Sequence, residues 1–245
     1  MTRLVRAQSG LDDIETYVPG RPIEEVQREF GLDDVIKLAS NENPIAPAPK
    51  AVVAMQAPLT QVNRYPDGES YCLRQALASH LAVEPEQILE GDGPTASSWR
   101  PAWHTSIRAT RPSSAARPSR STTSTCRRCV VSWSKTPHKD YRLDLEAMLA
   151  AITPKTKLIF VCNPNNPTGT IVTATEVEAF MRAVPDDVLV VFDEAYYEFV
   201  DAPDFPQSLA YVHEGRANVM VLRTYSKVYG RAGVRPGLRD LVRAV

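Results

Sequence analysis

Three apolar runs, each followed by a polar cluster, constrain the fold of this chain more than any other feature of its sequence. They are KLIFVC (157–162), VLVVFD (188–193) and NVMVLRT (218–224). Runs of this length without alternation are typical of strands that are buried on both faces of a parallel sheet. Helical patterns lie between and before them. The sequence therefore predicts an α/β fold with a mostly parallel central sheet flanked by helices.

Capping residues mark where the helices among these strands begin. Asp144 is suited to cap the helix DLEAMLAAI (144–152). Thr175 and Glu178 have the spacing of a capping box, which predicts that they open the helix VEAFMRAV (177–184).

The N-terminal third has its own local signals. Pro22 suits a first helical turn, and Gly31 is placed to end that helix. The stretch DVIKLAS (34–40) is predicted to be a strand. The apolar residues of LRQALASHLAV (73–83) recur at helical spacing and predict a helix.

Composition narrows the class of protein. A chain of 245 residues with 43% hydrophobic residues can bury the core of one large domain. Its net charge of -1 argues against a dedicated nucleic-acid binder. The N-terminus carries no apolar run of the signal-peptide type, and no segment approaches the roughly 20 apolar residues that span a bilayer. The cysteines are too few for a disulfide scaffold, so we expect a soluble protein of the cytoplasm. They are Cys72, Cys126, Cys129 and Cys162.

Polar clusters follow each of the three apolar runs directly. They are NPNNPTGT (163–170), DEAYYEF (193–199) and TYSKVYG (224–230). Ligands of open parallel sheets bind outside the carboxyl ends of the strands, so Asn166, Asp193 and Lys227 can face one crevice. Taken singly, these residues have ordinary explanations, namely an Asx-turn, a strand-end cap and a solvated lysine.

Together, the same residue types meet the requirements of one cofactor, pyridoxal phosphate. A lysine amine can form a Schiff base with its aldehyde, and an aspartate can hold its ring nitrogen protonated. Hydroxyls of Thr224 and Ser226 can bind its phosphate, and Arg235 can pair with that phosphate bidentately.

These motifs resemble those of the fold-type I pyridoxal-phosphate aminotransferases. The similarity extends over roughly 1–92 and 139–237, and the opening YVPG and SNENP segments favour the histidinol-phosphate branch. The matching segments are YVPGRPIEEVQREFGLDDVIKLASNENP (17–44), NRYPDG (63–68), KDYRLDLEAMLAAITPKTKLIFVCNPNNPTGT (139–170), VLVVFDEAYYEFV (188–200) and VLRTYSKVYGRAGVRPG (221–237).

The resemblance implies roles for individual residues. Lys227 looks like the Schiff-base lysine and the acid/base of the 1,3-proton shift. Asp193 looks like the partner of the pyridine nitrogen. Asn166 and Tyr196 look like the pair that hydrogen-bonds the phenolic oxygen of the cofactor.

Further roles follow from the same resemblance. Thr224, Ser226 and Arg235 look like phosphate ligands. Tyr65 resembles a tyrosine that reaches the phosphate in the partner subunit's site, which implies a homodimer, although ordinary aromatic packing also explains such a residue. Tyr17 and Asn43 lie in segments that line the substrate cleft in the family, and Tyr17 has the same ordinary alternative.

The implied reaction is a ping-pong transfer of an amino group from glutamate to imidazole-acetol phosphate, which gives 2-oxoglutarate and histidinol phosphate on the path to histidine. Two enzymatic alternatives belong to the same branch, an aromatic amino-acid aminotransferase and a phosphothreonine decarboxylase. The resemblance also implies two domains, with 1–45 forming an N-terminal arm and part of the small domain, and 46–245 the large cofactor domain.

Residues 94–138 depart from the family pattern. They contain no Gly, Leu, Asp, Glu, Phe or Tyr, although the family places a ring-stacking aromatic residue there. No strand or helix period persists, which favours a disordered insert or a frame-disrupted segment. We favour the second, because GC-rich codons for 105–114 read out of register permit L-D-P-G-D-E-A-V-V. Codons for 116–122 permit P-T-F-P-V-Y in the same register.

A non-enzymatic alternative remains for that segment. Cys126 and Cys129, with flanking arginines and nearby tryptophans, suggest a zinc or RNA module. Zinc usually needs four ligands, and the spacing to His104 and His138 fits no common site. Nothing orders the basic residues onto one face.

A second departure is the end of the chain at Val245, because the family continues beyond this point with most of the small domain and an arginine for the substrate carboxylate. These departures predict weak or no binding of pyridoxal phosphate by this polypeptide, or an inactive fragment.

Overall fold

The computed structural model describes residues 20–91, 111–115, 134–136, 138–234 and 241–243. They fall into two compact units. The larger unit comprises the described residues between 66 and 224 together with 241–243, and the smaller unit comprises 20–65 and 225–234.

A mostly parallel sheet forms the centre of the larger unit, as the sequence predicts. Seven of the described strands pair in the order β1-β9-β8-β7-β6-β2-β3. Neighbours from β3 to β8 run parallel, whereas β9 runs antiparallel to β8 and β1. The strands are β1 (Ile88–Leu89), β2 (Arg111–Ala115), β3 (Ser134–Thr136), β6 (Thr156–Cys162), β7 (Leu189–Asp193), β8 (Val219–Leu222) and β9 (Leu241–Arg243); a separate hairpin consists of β4 (His138–Lys139) and β5 (Arg142–Leu143).

Both faces of the central strands are buried, which explains their unbroken apolar sequences. Val161, Phe192 and Val221 lie side by side on one face, where they pack in the main core. Helices of this unit contribute to the same core; they are α3 (Tyr71–Leu81), α4 (Leu145–Ala150), α5 (Ala174–Ala183) and α6 (Leu209–His213). On the opposite face, Phe160, Val191 and Met220 form a second buried cluster. The predicted α/β layering is therefore confirmed.

The start of α4 is as predicted, because Asp144 Oδ1 accepts the N–H of Ala147 at 2.9 Å. The predicted start of α5 is wrong. Its capping box is Thr173 and Glu176, two residues earlier than Thr175 and Glu178.

The choice between these two overlapping boxes has a physical reason. With Thr173 as N-cap, Val172 precedes the cap and Val177 is the fourth helical residue, and both side chains are buried in the main core. This pairing is a hydrophobic staple. With Thr175 as N-cap, the corresponding residues are Ala174 and Ala179, which are both exposed.

The smaller unit contains α1 (Ile23–Phe30), α2 (Pro49–Gln56) and a 3₁₀ turn at Ala57–Gln61. Helix α1 ends as predicted at Gly31, whose φ of 64° lies in the left-handed region. The prediction of a strand over 34–40 is wrong. This stretch pairs with no described strand, and Ile36 and Leu38 are exposed. Strand propensity without a neighbouring ladder does not make a strand.

Two strands lie where the periodicity of the sequence predicts none. Both β2 and β3 fall within 94–138, and β2 pairs with the long strand β6. Main-chain hydrogen bonds to neighbouring strands define both of them. Such pairing leaves no periodic pattern in the side chains, so the sequence does not reveal it. The remainder of 94–138, except His138, lies outside the described residues. Among the described helices, none combines the length and the apolar composition that a membrane span requires.

The start of α5 offers a direct test. Thr173→Ala removes the side chain that accepts the N–H of Glu176, so we expect a loss of about 1 kcal/mol in the free energy of unfolding, measured by urea denaturation. The matched control is Thr175→Ala, which removes an exposed threonine inside the first turn and is expected to change stability little. Equal losses in the two variants would contradict this assignment of the cap.

Candidate active site

The polar clusters leave the central sheet side by side. Cys162 pairs with Asp193, and Asp193 pairs with Leu222, so β6, β7 and β8 end at the same edge. Main-chain hydrogen bonds extend this order past the strands, from Asn163 N to Asp193 O at 3.1 Å and from Glu194 N to Leu222 O at 2.9 Å. The structure thus brings the three carboxyl ends together, as their parallel direction predicts.

The loop 163–170 is braced by its own side chains. Asn163 is buried, donates from Nδ2 to Val172 O at 3.1 Å and accepts the Val172 N–H at 3.0 Å. Asn165 Nδ2 donates to Thr168 Oγ1 at 2.6 Å. Asn166, in contrast, makes no side-chain hydrogen bond to any residue that the structure describes. Its amide is available to a ligand at this edge, whereas Asn163, which sequence reasoning missed, is structural.

The hairpin β4–β5 supports the outer end of this loop. Thr170 Oγ1 donates to Tyr141 O at 2.9 Å, and Arg142 Nε donates to Ile171 O at 3.0 Å. Arg142 also pairs with Glu176 at 2.8 Å. Burial raises the pKa of the Glu176 carboxyl, but hydrogen bonds from Thr173 and the charge of Arg142 outweigh it, so that pKa lies below its usual value.

Asp193 lies half-buried at the end of β7, where its Oδ1 accepts the N–H of Ala195 at 3.2 Å. On the neighbouring strand, burial raises the pKa of the Cys162 thiol, and the charge of Asp193 acts in the same direction. Cys162 is therefore a neutral thiol and not a nucleophile at pH 7.

Tyr196 packs against Phe199 with ring centroids 6.2 Å apart, and Thr224 is buried beyond the end of β8.

A buried ion pair connects the chain segments that follow β7 and β8. Glu194 is 1% exposed, and its Oε2 accepts from Nε and Nη2 of Arg223, each at 3.0 Å. The Arg223 guanidinium carbon lies 3.6 Å from the centroid of the Tyr197 ring. Burial raises the pKa of the Glu194 carboxyl, and Arg223 opposes this rise. Sequence reasoning missed this pair, although opposite charges directly beyond two adjacent strand ends are a usable signal.

In the smaller unit, Lys227 and Asn43 are close in space although far apart in sequence. Lys227 Nζ donates to Ser40 O at 3.1 Å and to Asn41 O at 3.5 Å. Asn43 Nδ2 donates to Val228 O at 2.7 Å, and its Oδ1 accepts the Ile45 N–H at 2.9 Å. The turn that carries the candidate lysine is therefore attached to the segment 40–45.

The remaining candidate residues are half-buried, fully exposed or outside the described part of the chain. Ser226 is half-buried in the Lys227 turn, and the side chain of Tyr65 is completely exposed. Tyr17 and Arg235 lie outside the described residues, as do Cys126, Cys129 and His104 of the zinc alternative. The described part of the chain holds no group of three or more His, Cys, Asp or Glu residues arranged for a metal ion.

Comparisons with known proteins agree with one another. The family model "Aminotransferase class I and II" matches residues 33–239. The chain is 48% identical over 233 residues to the histidinol-phosphate aminotransferase of Moorella thermoacetica, covering 95% of this chain and 60% of that protein. It is 45% identical over 230 residues to the enzyme of the same name from Brevibacillus brevis, covering 90% and 60%. The chain thus spans about 60% of the length of these curated relatives.

A solved structure is similar over nearly the whole chain. It is the histidinol-phosphate aminotransferase from Sinorhizobium meliloti in complex with pyridoxal-5'-phosphate, with a TM-score of 0.84 and 27% sequence identity. The similarity covers 99% of this chain and 64% of that one.

Gly230 tests the packing of the Lys227 turn. Its φ is +65°, and a Cβ there would lie 2.9 Å from backbone atoms of Ala46 and Pro47. We expect Gly230→Ala to destabilise the chain by more than about 1 kcal/mol, since left-handed backbone alone costs an alanine that much, and to expose 40–47 to proteolysis. Gly233→Ala is the matched control, because its Cβ would meet nothing within 4 Å. Equal behaviour of the two variants would refute this packing.

Proposed function

Since this chain belongs to the class I and II aminotransferases, we propose that it is part of a pyridoxal-phosphate-dependent transaminase of histidine biosynthesis. The reaction is the exchange of an amino group between glutamate and imidazole-acetol phosphate, which gives 2-oxoglutarate and histidinol phosphate. The observation that carries the proposal is the arrangement of the loop 163–170, Asp193 and Thr224 at one edge of the sheet. The 48% identity to a curated relative of that name supports the substrate.

The chemistry of the available groups fits pyridoxal phosphate. The cofactor presents a basic ring nitrogen, a phenolic oxygen, a phosphate and an aldehyde. Asp193 supplies a half-buried carboxylate for the nitrogen, and Asn166 supplies an amide without a partner among the described residues for the phenolic oxygen. Tyr196 adds a second donor for that oxygen, and Lys227 adds an amine for the aldehyde.

The phosphate would be held by hydroxyls and one guanidinium. Thr224 and Ser226 offer their Oγ atoms, and Arg235 would add a bidentate charge-assisted pair. When it is bound, the cofactor supplies an electron sink that no amino-acid side chain provides.

The remaining work belongs to residues of the protein. Lys227 would hold the cofactor covalently through Nζ and, once the substrate amine has displaced it, its free amine would move a proton between the substrate carbon and the cofactor. Asp193 would keep the ring nitrogen protonated, because its carboxylate favours the cation. Tyr17 and Asn43 would line the substrate cleft.

The proposal includes a homodimer and a location in the cytoplasm. Tyr65 is fully exposed, as expected of a side chain that contacts the phosphate of a partner subunit. Several apolar side chains of the smaller unit are exposed with it, namely Ile36, Leu38, Ile45 and Val62. We propose that these side chains are buried together against the partner subunit, since contiguous apolar patches mark interfaces. We further propose residues 1–45 as arm and part of the small domain, and 46–245 as the cofactor domain.

Covalent trapping tests the cofactor and its lysine even where binding is weak. After incubation with pyridoxal phosphate and borohydride reduction, we expect mass spectrometry to find the pyridoxyl group mainly on Lys227. Histidinol phosphate should suppress this labelling more strongly than tyrosine or phosphothreonine does. Lys157→Ala, which removes an exposed lysine, should leave the pattern unchanged. Labelling spread evenly over surface lysines would refute the site, and suppression by tyrosine or phosphothreonine would favour the corresponding alternative.

Sedimentation velocity tests the dimer. We expect twice the mass of one chain for the unmodified protein, and a shift towards one chain for Leu38→Glu, because a carboxylate is costly to bury at an apolar interface. Tyr141→Glu changes an exposed side chain of the larger unit and serves as the control. A monomer at every concentration, or a dimer that Leu38→Glu leaves intact, would contradict this interface.

A further inference from the structure

The buried pair of Glu194 and Arg223 has no role in the chemistry proposed above. We propose that this pair positions the cofactor site, by holding the segment that carries Asp193 in register with the segment that carries Thr224. The role in cofactor binding rests on the proposed function, whereas the geometry of the pair is independent of it. Glu194 and Arg223 are then positioning residues, since neither touches the reacting atoms.

Each residue of the pair is a direct sequence neighbour of a candidate cofactor ligand. Glu194 directly follows Asp193, and Arg223 directly precedes Thr224. A displacement of either charged residue therefore moves its neighbour through a single peptide unit. Both neighbours need fixed positions, because a carboxylate and a hydroxyl act on a ligand only within hydrogen-bond reach.

The pair lies directly beyond the end of the ladder between β7 and β8. The strand pairing of β7 and β8 ends at Asp193 and Leu222. One further main-chain bond, from Glu194 N to Leu222 O at 2.9 Å, joins the two segments. The bonds from Arg223 to Glu194 Oε2 continue this connection through side chains.

Two neighbouring groups restrict the orientation of the Arg223 guanidinium. The Arg223 side chain is only 15% exposed. Its guanidinium group contacts the Glu194 carboxylate and also lies over the Tyr197 ring, with the guanidinium carbon 3.6 Å from the ring centroid. The Tyr197 hydroxyl in turn donates to Gln207 Oε1 at 2.9 Å. A lysine carries the same charge but lacks the planar fork, so it cannot reproduce these contacts together.

A second ion pair of the same sheet provides the matched comparison. Lys157 lies near the start of β6 and pairs with Asp187, which precedes β7. This pair therefore connects β6 and β7 at the edge of the sheet opposite to the candidate site. Both of its side chains are more than one-third exposed. Asp187→Asn therefore removes one carboxylate charge by the same acid-to-amide change as Glu194→Gln, far from the candidate site.

The experiment measures two properties in Glu194→Gln, Arg223→Lys, their double variant and Asp187→Asn. In the cofactor-free protein, hydrogen exchange followed by mass spectrometry should show faster exchange in 193–199 and 222–224 for the three variants of the pair but not for Asp187→Asn, with core peptides of β6 unchanged. With pyridoxal phosphate, half-maximal trapping on Lys227 should need about tenfold more cofactor, the scale typical when a group that orients ligand-binding residues is lost. The double variant should be less impaired than the two single losses predict together.

The two proposals can fail separately. Failure of unmodified protein to trap the cofactor on Lys227 overturns the proposed function, and the exchange measurement still decides whether the pair holds the two segments. Unchanged exchange in 193–199 and 222–224 in Glu194→Gln overturns the positioning role. So does uniformly faster exchange that includes β6, because it shows only a general loss of stability. Unchanged trapping in Glu194→Gln, where unmodified protein traps normally, overturns it as well.

Discussion

The parallel ladder of β6, β7 and β8 is the constraint on which the rest of the larger unit depends. Its register places Val161, Phe192 and Val221 on one face and Phe160, Val191 and Met220 on the other, and both rows are buried. A shift of one strand by one residue would turn each of its side chains to the opposite face, into a cluster packed by different neighbours. The same register fixes the height at which the strands end, so the polar segments that follow them begin at one edge.

Polar groups at a buried edge need hydrogen-bond partners, and several side chains of these segments provide them. The Asn163 side chain bonds to both the C=O and the N–H of Val172, as the main chain of a neighbouring strand would. Asn165 and Thr168 are hydrogen-bonded to each other within the loop. Glu194 and Arg223 neutralise each other where neither charge is well solvated. Asn166 is left without such a task among the described residues.

How far the sequence predicts this structure depends on whether a signal is local. The three buried strands, α3 and the Asp144 cap follow from runs and spacings within a few residues, and they are confirmed. The start of α5 required a choice between two equal motifs, which the burial of Val172 and Val177 decides. The stretch 34–40 has the propensity of a strand but no ladder to join. Strands β2 and β3 show the reverse case, since a ladder is present where the side chains carry no period. The contact of Arg223 with Glu194 has no signal within either segment alone, and it becomes predictable only once β7 and β8 are known to be neighbours.

Asn43 shows how a structural role and a proposed functional role can coexist in one side chain. A carboxamide can donate twice from Nδ2 and accept twice at Oδ1. Asn43 uses one donor on Val228 O and one acceptor position for the Ile45 N–H. Among the described residues, one N–H and one lone pair of Asn43 therefore have no partner, and the two bonds already made hold them in a fixed direction. Because Val228 follows Lys227 directly, the same amide also limits the movement of the candidate lysine. A substitution at Asn43 thus changes the lysine turn together with any substrate contact, and a loss of activity there cannot be assigned to substrate binding alone.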